Sequence, residues 1–351
     1  MDRAAEGPPA LKRVICVDVD GTLCDSSHRL PAANAAALRT AMSQGVSVVL
    51  ATGKMRGEWL PPVVEALGFP RDAVALNAPA VTLNGLLVTD QDGSAASEQL
   101  MPREVVTQAL RLGGGRASAG LTTICFSTEG LLAAELDEWT EHAKQYQEPP
   151  TRAIGASAMA ALGDLGGGGG GGGGGDSPGV FKVTFWGTEE AISAAQPHIA
   201  AALGDGATVV RSLGTLIEVL PPGCGKAEGV KIALGLLGVD VSDVLALGDG
   251  ENDAEMLRMV RDGGGVSVAM ANGMDLTKAA ASEVGLSNDE AGVAHAVHRY
   301  VLGTQTAAAA DDTEAGPPAA AAVGPTSGSS KHNLPARSSS AVGHGRGVAK
   351  L

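Results

Sequence analysis

The sequence is poor in aromatic residues: three Trp, two Tyr and four Phe make up 3% of its 351 residues. Because 44% of the chain is hydrophobic, it can still bury a sizeable core, which must then be aliphatic and rich in alanine. Positive charge is also scarce. A formal net charge of −14 argues against nucleic acid or an anionic membrane as the main partner, although local cations in a site can still hold a phosphate. No apolar run reaches the length of about 18 residues that a membrane span needs. Residues 1–12 are too short and mixed for a signal peptide. The four cysteines, Cys16, Cys24, Cys125 and Cys224, include no Cys-x-x-Cys pair. A zinc site is therefore not expected, and the setting is expected to be reduced and intracellular, cytoplasmic with an organelle left open. His295 and His298 lie on an expected helix with no acidic or Cys partner at zinc spacing, and read as ordinary helix residues.

Against this background one stretch stands out, Arg13-Val14-Ile15-Cys16-Val17-Asp18-Val19-Asp20-Gly21-Thr22-Leu23. Val14 to Val17 reads as a strand buried on both faces, and it ends in two carboxylates and a glycine. Side-chain alternation predicts that Asp18 and Asp20 point the same way, at the strand edge where open α/β sheets bind ligands. Two such carboxylates repel, so a divalent cation, or a proton kept by one of them, is expected. A turn with two solvated aspartates is the simpler alternative. A second acidic strand end weakens it: Val244 to Leu247 is apolar and runs into Gly248-Asp249-Gly250-Glu251-Asn252-Asp253. Asp253 in the first turn of a helix is favourable on dipole grounds alone, whereas Asp249 has no such reason to be there. With Asp18 it makes a pair suited to magnesium, a hard ion that prefers oxygen and bridges to phosphate.

Between these ends, Ala32 to Gln44 predicts a helix and Val46 to Leu50 a second strand ending in Ala51-Thr52-Gly53-Lys54. The Thr52 hydroxyl and the following N–H groups can donate to an oxyanion, with a helix expected from near Met55; helix capping is the other use of such a threonine. Val74 to Leu76 and Val81 to Leu83 read as short strands. From about Leu86 to Leu220 the pattern changes. Strands are predicted at Leu121 to Phe126, Val180 to Trp186 and Leu216 to Leu220, and helices at Leu131 to Gln145 and Glu189 to Leu203, the second starting at Thr188. The change suggests an inserted α+β unit. The run Gly166 to Gly175 holds no side chain to bury and reads as a flexible surface insertion. Pro221-Pro222-Gly223-Cys224-Gly225 then delivers Lys226 to a helix N-terminus, where a cation opposes the dipole; such a lysine is expected to meet an anion, and plain solvent exposure is the alternative. A further strand and turn follow at Gly265 to Gly273, then helices from Asp275 and Asn288. The division expected is an extension at 1–12, a core of 13–86 and 221–303, a cap of 87–220, and a disordered tail at 304–351 rich in Ala, Gly, Pro and Ser.

Taken together, Asp18-Val19-Asp20-Gly21-Thr22-Leu23, Ala51-Thr52-Gly53-Lys54, Lys226 after a Pro-Gly turn, and Gly248-Asp249-Gly250-Glu251-Asn252-Asp253 resemble the motifs of the haloacid dehalogenase superfamily, Cof-type branch. The segments Val268 to Gly273 and Asn288 to Val293 are similar to it as well. The resemblance covers about Val14 to Leu302. It implies an α/β fold, a Rossmann-like core with a mainly parallel sheet and an inserted α+β cap. It also implies a magnesium-dependent phosphatase acting on a small phosphate ester, such as a sugar phosphate or pyridoxal phosphate, through an aspartyl-phosphate. On this likeness Asp18 is the nucleophile, and Asp20 protonates the leaving alcohol and then deprotonates water. Thr52, Gly53 and Lys226 hold the transferring oxygens. Asp18, Asp249 and the backbone carbonyl of Asp20 ligate Mg2+, and Asn252 and Asp253 support the metal or Lys226. Lysine at 54 departs from the usual arginine and cannot reproduce its planar fork. A phosphomutase of the same superfamily and a non-catalytic phosphometabolite sensor are the alternatives.

Overall fold

A computed structural model describes residues 11–113, 120–163 and 177–304. Residues 1–10 of the expected extension, the glycine run at 166–175 and the tail beyond 304 lie outside the described residues.

The chain opens with β1 (Val14–Val17), α1 (Ala32–Ser43), β2 (Ser47–Leu50), α2 (Leu60–Ala66), β3 (Ala80–Thr82), β4 (Leu87–Thr89) and β5 (Ala95–Glu98). It continues through α3 (Arg103–Gly113), β6 (Thr122–Ser127), β7 (Gly130–Ala133), α4 (Glu138–Ala143), β8 (Arg152–Ala153) and α5 (Ala156–Ala161). Next come β9 (Val180–Trp186), α6 (Glu189–Leu203), β10 (Thr208–Leu213), β11 (Leu216–Leu220) and α7 (Lys226–Leu237). The last elements are β12 (Val244–Gly248), α8 (Ala254–Asp262), β13 (Val266–Ala269), α9 (Asp275–Ala280), β14 (Glu283–Val284) and α10 (Gly292–Tyr300).

Five strands form a parallel sheet in the order β14-β13-β12-β1-β2. Every residue of β1 and of β12 is buried, because each face of the sheet is covered. Ile15, Val17, Leu245 and Leu247 pack with Leu38 of α1 and Val297 of α10 on one side. Val14, Cys16, Val244 and Ala246 pack with Val230 of α7 and Leu257 of α8 on the other. This two-sided burial is why the strands read as continuous apolar runs. It also leaves their C-terminal ends, with the acidic residues just beyond, as the place where polar groups can gather.

The strands β3, β4 and β5 form a small antiparallel sheet tied to the core by a bridge from Val81 to Ala51, so it carries the chain across residue 86, where the insertion was expected to begin. The next sheet has the order β10-β11-β9-β6-β7-β8 and is antiparallel except for the β7–β8 pair. Alternation divides its residues between two faces. Cys125, Val183, Phe185, Ile217 and Val219 pack with Ile192 and Ile199 of α6. Ile124, Phe126, Trp186, Leu216 and Leu220 pack with Met55, Leu83 and Leu86 of the core.

Several expected elements differ. Leu131 to Gln145 is a strand and a short helix, because Gly130 at φ 105 closes a hairpin and Leu131, Leu132 and Ala133 pair with β6. Asp137 caps α4 by accepting from the N–H groups of Trp139 and Thr140. Val74 to Leu76 is not a strand. The Asn77 side chain takes the place of one, its Oδ1 accepting from Val48 N–H at 2.9 Å and its Nδ2 donating to the Val46 carbonyl at 2.7 Å. The helix expected from Met55 begins at Leu60.

Candidate active site

Register brings the acidic ends together. Val17 lies opposite Leu50 on one side and Leu247 on the other, so Asp18, Ala51-Thr52 and Gly248-Asp249 emerge side by side. Asp18 is 5% exposed and Lys226 is 1% exposed. The Lys226 Nζ donates to Asp18 Oδ1, and to Asp253 Oδ1 at 2.7 Å. Lys226 is the first residue of α7, and the position of that helix is fixed by backbone contact: a Cβ on Gly229 would lie 2.7 Å from the Gly85 Cα. The cation therefore meets anions, and the solvent-exposed reading of this lysine fails.

Asp253 organises the loop. Its Oδ2 accepts from the N–H groups of Asp249 at 3.0 Å and Gly250 at 2.9 Å, while its Oδ1 takes Lys226. One ligand oxygen from each of Asp18, Asp249 and Asp253 falls within 4.8 Å of the others. Burial raises the Asp18 carboxyl well above the usual carboxylate range, against the pull of Lys226. Burial raises Asp249 too, with the Thr22 hydroxyl, which donates to Asp249 Oδ1 at 2.7 Å, working the other way. For Lys226 burial alone would lower the ammonium, but the Asp18 and Asp253 carboxylates hold it above its ordinary value.

The turn after β1 explains the glycine. Gly21 has φ 75, and a Cβ there would lie 2.8 Å from the Asp249 Cγ. A Gly21→Ala change thus combines backbone strain of about 1–2 kcal/mol with displacement of Asp249. It is expected to cut turnover at least about tenfold and to lower the melting temperature, checked by steady-state kinetics and thermal unfolding. Three asparagines hold this turn: Asn34 Nδ2 donates to the Leu23 carbonyl at 3.0 Å, Asn272 Nδ2 to Gly21 at 2.8 Å and Asn288 Nδ2 to Cys24 at 3.1 Å. Asn34 and Asn272 show in the sequence only as single polar residues in apolar surroundings, and Asn288 lies in the polar run Ser287-Asn288-Asp289-Glu290.

Asp20 lies past the end of the strand, in the turn, so the alternation that would align it with Asp18 has already stopped. Its side chain is 35% exposed, and its Oδ1 accepts from Lys54 Nζ at 2.7 Å with His28 Nδ1 at 3.4 Å. Its carboxylate is not in the acidic cluster, and the resemblance asks only for its carbonyl at the metal. Thr52 is 1% exposed and its Oγ1 accepts from Lys54 N–H at 3.1 Å, which leaves the hydroxyl hydrogen for an oxyanion. Asn252 sits at the rim and donates to Asn84 Oδ1 at 2.8 Å; a Cβ on the neighbouring Gly53 would lie 3.0 Å from that same oxygen.

A model of the haloacid dehalogenase-like hydrolases matches residues 15–153 and 176–297. The chain belongs to that family. Among its relatives, a chloroplastic endoribonuclease YBEY of Arabidopsis thaliana is 33% identical over 298 residues, 84% of this chain but only 47% of that protein. The chain thus spans about half the length of that relative. An HMP-PP phosphatase of Cronobacter sakazakii is 27% identical over 270 residues, 75% of this chain and 86% of that one. A haloacid dehalogenase-like hydrolase structure from Bacteroides thetaiotaomicron superposes with a TM-score of 0.66 at 24% identity, over 82% of this chain and 99% of that one. These findings agree with the α/β core and cap of this chain.

The motifs do not point to the cap residues that face the core. Lys182 and Glu218 form an ion pair of 2.6 Å with side chains 3% and 11% exposed, and Lys182 Nζ lies 3.4 Å from the Gly53 carbonyl. Glu148 Oε2 accepts from Met55 N–H at 2.9 Å. A charged residue inside each wholly buried strand, β9 and β11, was the available signal.

Proposed function

We propose that the protein is a magnesium-dependent phosphatase of small phosphate monoesters, in which Asp18 takes the phosphoryl group. The observation that carries this reading is the pairing of a buried carboxylate, Asp18, with a buried ammonium, Lys226, beside a second strand-end carboxylate, Asp249.

The donor set suits a hard divalent cation. The Oδ2 atoms of Asp18 and Asp249 accept no hydrogen bond from a described residue, and both carboxyls are desolvated, so the spare oxygens call for a positive partner besides Lys226. Asp18, Asp249 and the Asp20 carbonyl would hold it. When bound, Mg2+ would neutralise part of the charge on the phosphate dianion and on Asp18.

The residues of the chain divide the remaining work. An oxygen of Asp18 attacks phosphorus in line with the leaving oxygen. Lys226 and the Thr52 hydroxyl donate to the equatorial oxygens as charge builds on them. Asp20, its Oδ1 held by Lys54, enters the first step with a proton on Oδ2, gives that proton to the departing alcohol, and regains one from the water that cleaves the acyl phosphate. Asn252 closes the rim against Asn84, and Asp253 keeps Lys226 in place. Return of the phosphoryl group to a sugar would make a mutase, but the full acid-base set serves hydrolysis without a second substrate.

A phosphate-release screen over sugar, nucleotide and vitamin phosphates, with and without Mg2+, tests the reading. Chelation is expected to reduce release at least about a hundredfold. Saturating Mg2+ should restore it and raise the unfolding free energy by about 2.7 kcal/mol at a hundredfold excess over Kd. Unchanged release after chelation, or no shift in unfolding on adding Mg2+, would remove the metal from the account. Among the described residues no helix is long and apolar enough to cross a membrane.

A further inference from the structure

Beside the acid-base group Asp20, one residue is held in an unfavourable backbone conformation. His28 has φ 56, in the left-handed region that glycine occupies freely and few side chains adopt, histidine and asparagine tolerating it better than most. A short loop imposes it. Asp25 closes that loop: its N–H donates to the Arg29 carbonyl at 2.8 Å and its carbonyl accepts from His28 N–H at 2.9 Å. The Asp25 Oδ1 also accepts from the N–H groups of Ser27 at 2.8 Å and Arg29 at 3.0 Å. The loop is fastened from outside as well, because the Asp289 carboxylate accepts from Ser26 N–H at 2.8 Å and from Ser26 Oγ at 2.7 Å. Asp289 belongs to the turn whose Asn288 already holds the Cys24 carbonyl.

This bracing sets the direction of one ring. His28 Nδ1 lies 3.4 Å from Asp20 Oδ1, the same oxygen that takes Lys54 Nζ at 2.7 Å. The ring is half-exposed and borders a cleft of about 420 Å³ with Glu58, Trp59 and Gln147, so the backbone places it and packing does not. Lys54 by itself leaves the plane of the carboxyl free to turn, since an ammonium is a compact point charge on a flexible stem. A second donor arriving from a different loop removes that freedom. With both donors on Oδ1 its lone pairs are used, and the proton of the neutral acid is left to Oδ2, which accepts no hydrogen bond from a described residue.

Building on the phosphatase reading, we infer that His28 is a positioning residue: with Lys54 it pins Asp20 Oδ1, so that Oδ2 carries the proton delivered to the leaving oxygen. As the bond from phosphorus to that oxygen breaks, its electron pair stays on the oxygen and the Oδ2 proton moves to it. The products of the step are a free alcohol and a carboxylate on Asp20. The new negative charge spreads to Oδ1, where two donors are already in place, and the 3.4 Å contact shortens as hydrogen bonds in active sites commonly do on reaction. An Nδ1–H exists in one neutral tautomer as well as in the cation, so the role does not require a charged ring.

The test compares kcat/KM, which reports the first phosphoryl transfer, for acetyl phosphate, 4-nitrophenyl phosphate and benzyl phosphate. Acetate and 4-nitrophenolate leave without a proton, whereas the benzyl alkoxide needs one. In His28→Gly the left-handed backbone is kept without strain and the ring is deleted; in His28→Asn the amide Nδ2 takes the place of Nδ1. His28→Gly is expected to lower kcat/KM for benzyl phosphate at least about tenfold, as for loss of a hydrogen bond to a charged group, and for the other two about twofold at most. His28→Asn is expected to bring benzyl phosphate back to within about threefold of the wild type. An equal fall for all three compounds, no fall for any, or failure of asparagine to restore benzyl phosphate each overturns the inference and leaves the phosphatase reading standing. No turnover of any of the three, or of any other phosphate ester, by the wild type overturns both. Should His28→Gly fail to fold, Asp289→Ala frees the loop without touching Asp20 and is expected to lower benzyl phosphate alone, by about threefold; an unchanged ratio of benzyl to 4-nitrophenyl phosphate there is the contrary result.

Discussion

Asp18→Asn is expected to stop phosphate release, with kcat falling about 10⁴-fold or more, as for loss of a covalent nucleophile elsewhere. The amide keeps the shape of the side chain but cannot attack phosphorus. The fold should survive. Asp18 is a desolvated carboxylate beside Asp249 and Asp253, and the change removes like-charge repulsion while Lys226 keeps its Asp253 partner. Thermal unfolding should therefore occur at the wild-type temperature or above it, even as activity disappears. A variant that retained a tenth of the wild-type kcat would show that Asp18 is not the attacking group.

Lys226→Met is expected to do the opposite to stability. It leaves Asp18 and Asp253 buried at 5% and 1% exposure without their cation, and such uncompensated charge costs about 3–5 kcal/mol. Urea unfolding should show a loss of that size, together with loss of turnover. Adding Asp18→Asn to Lys226→Met removes one stranded carboxylate, so the double variant should be more stable than Lys226→Met alone, a coupling that a double-mutant cycle measures. Equal stability of Lys226→Met and the wild type would mean that the ion pair does not shape this site.

These effects follow from features that were readable before any coordinates. Apolar runs covered on both faces that end in acid mark β1 and β12, and the lysine after a Pro-Gly turn marks the start of α7. What stayed hidden has physical reasons. Leu131-Leu132-Ala133-Ala134 has helical composition, yet pairing with β6 outweighs that preference. The edge of β2 is bonded by the Asn77 side chain, which no strand pattern reveals. Asp20 falls in a turn, and its ion pair with Lys54 depends on the loop after β2 folding back. Lys182 and Glu218 are 36 positions apart and meet only because β9 and β11 are adjacent in the cap sheet. Their pairing is a tertiary fact.

The central claim concerns where the phosphoryl group goes between substrate and water, and trapping it is the most direct measurement. An Asp20→Asn variant, slow to hydrolyse an acyl phosphate, is mixed with substrate, quenched in acid and reduced with borohydride, which converts a phosphorylated aspartate to homoserine. Peptide mass spectrometry is expected to find homoserine at position 18 and at no other aspartate. Unmodified Asp18 in a sample that has released phosphate, or homoserine at a different position, would contradict the account.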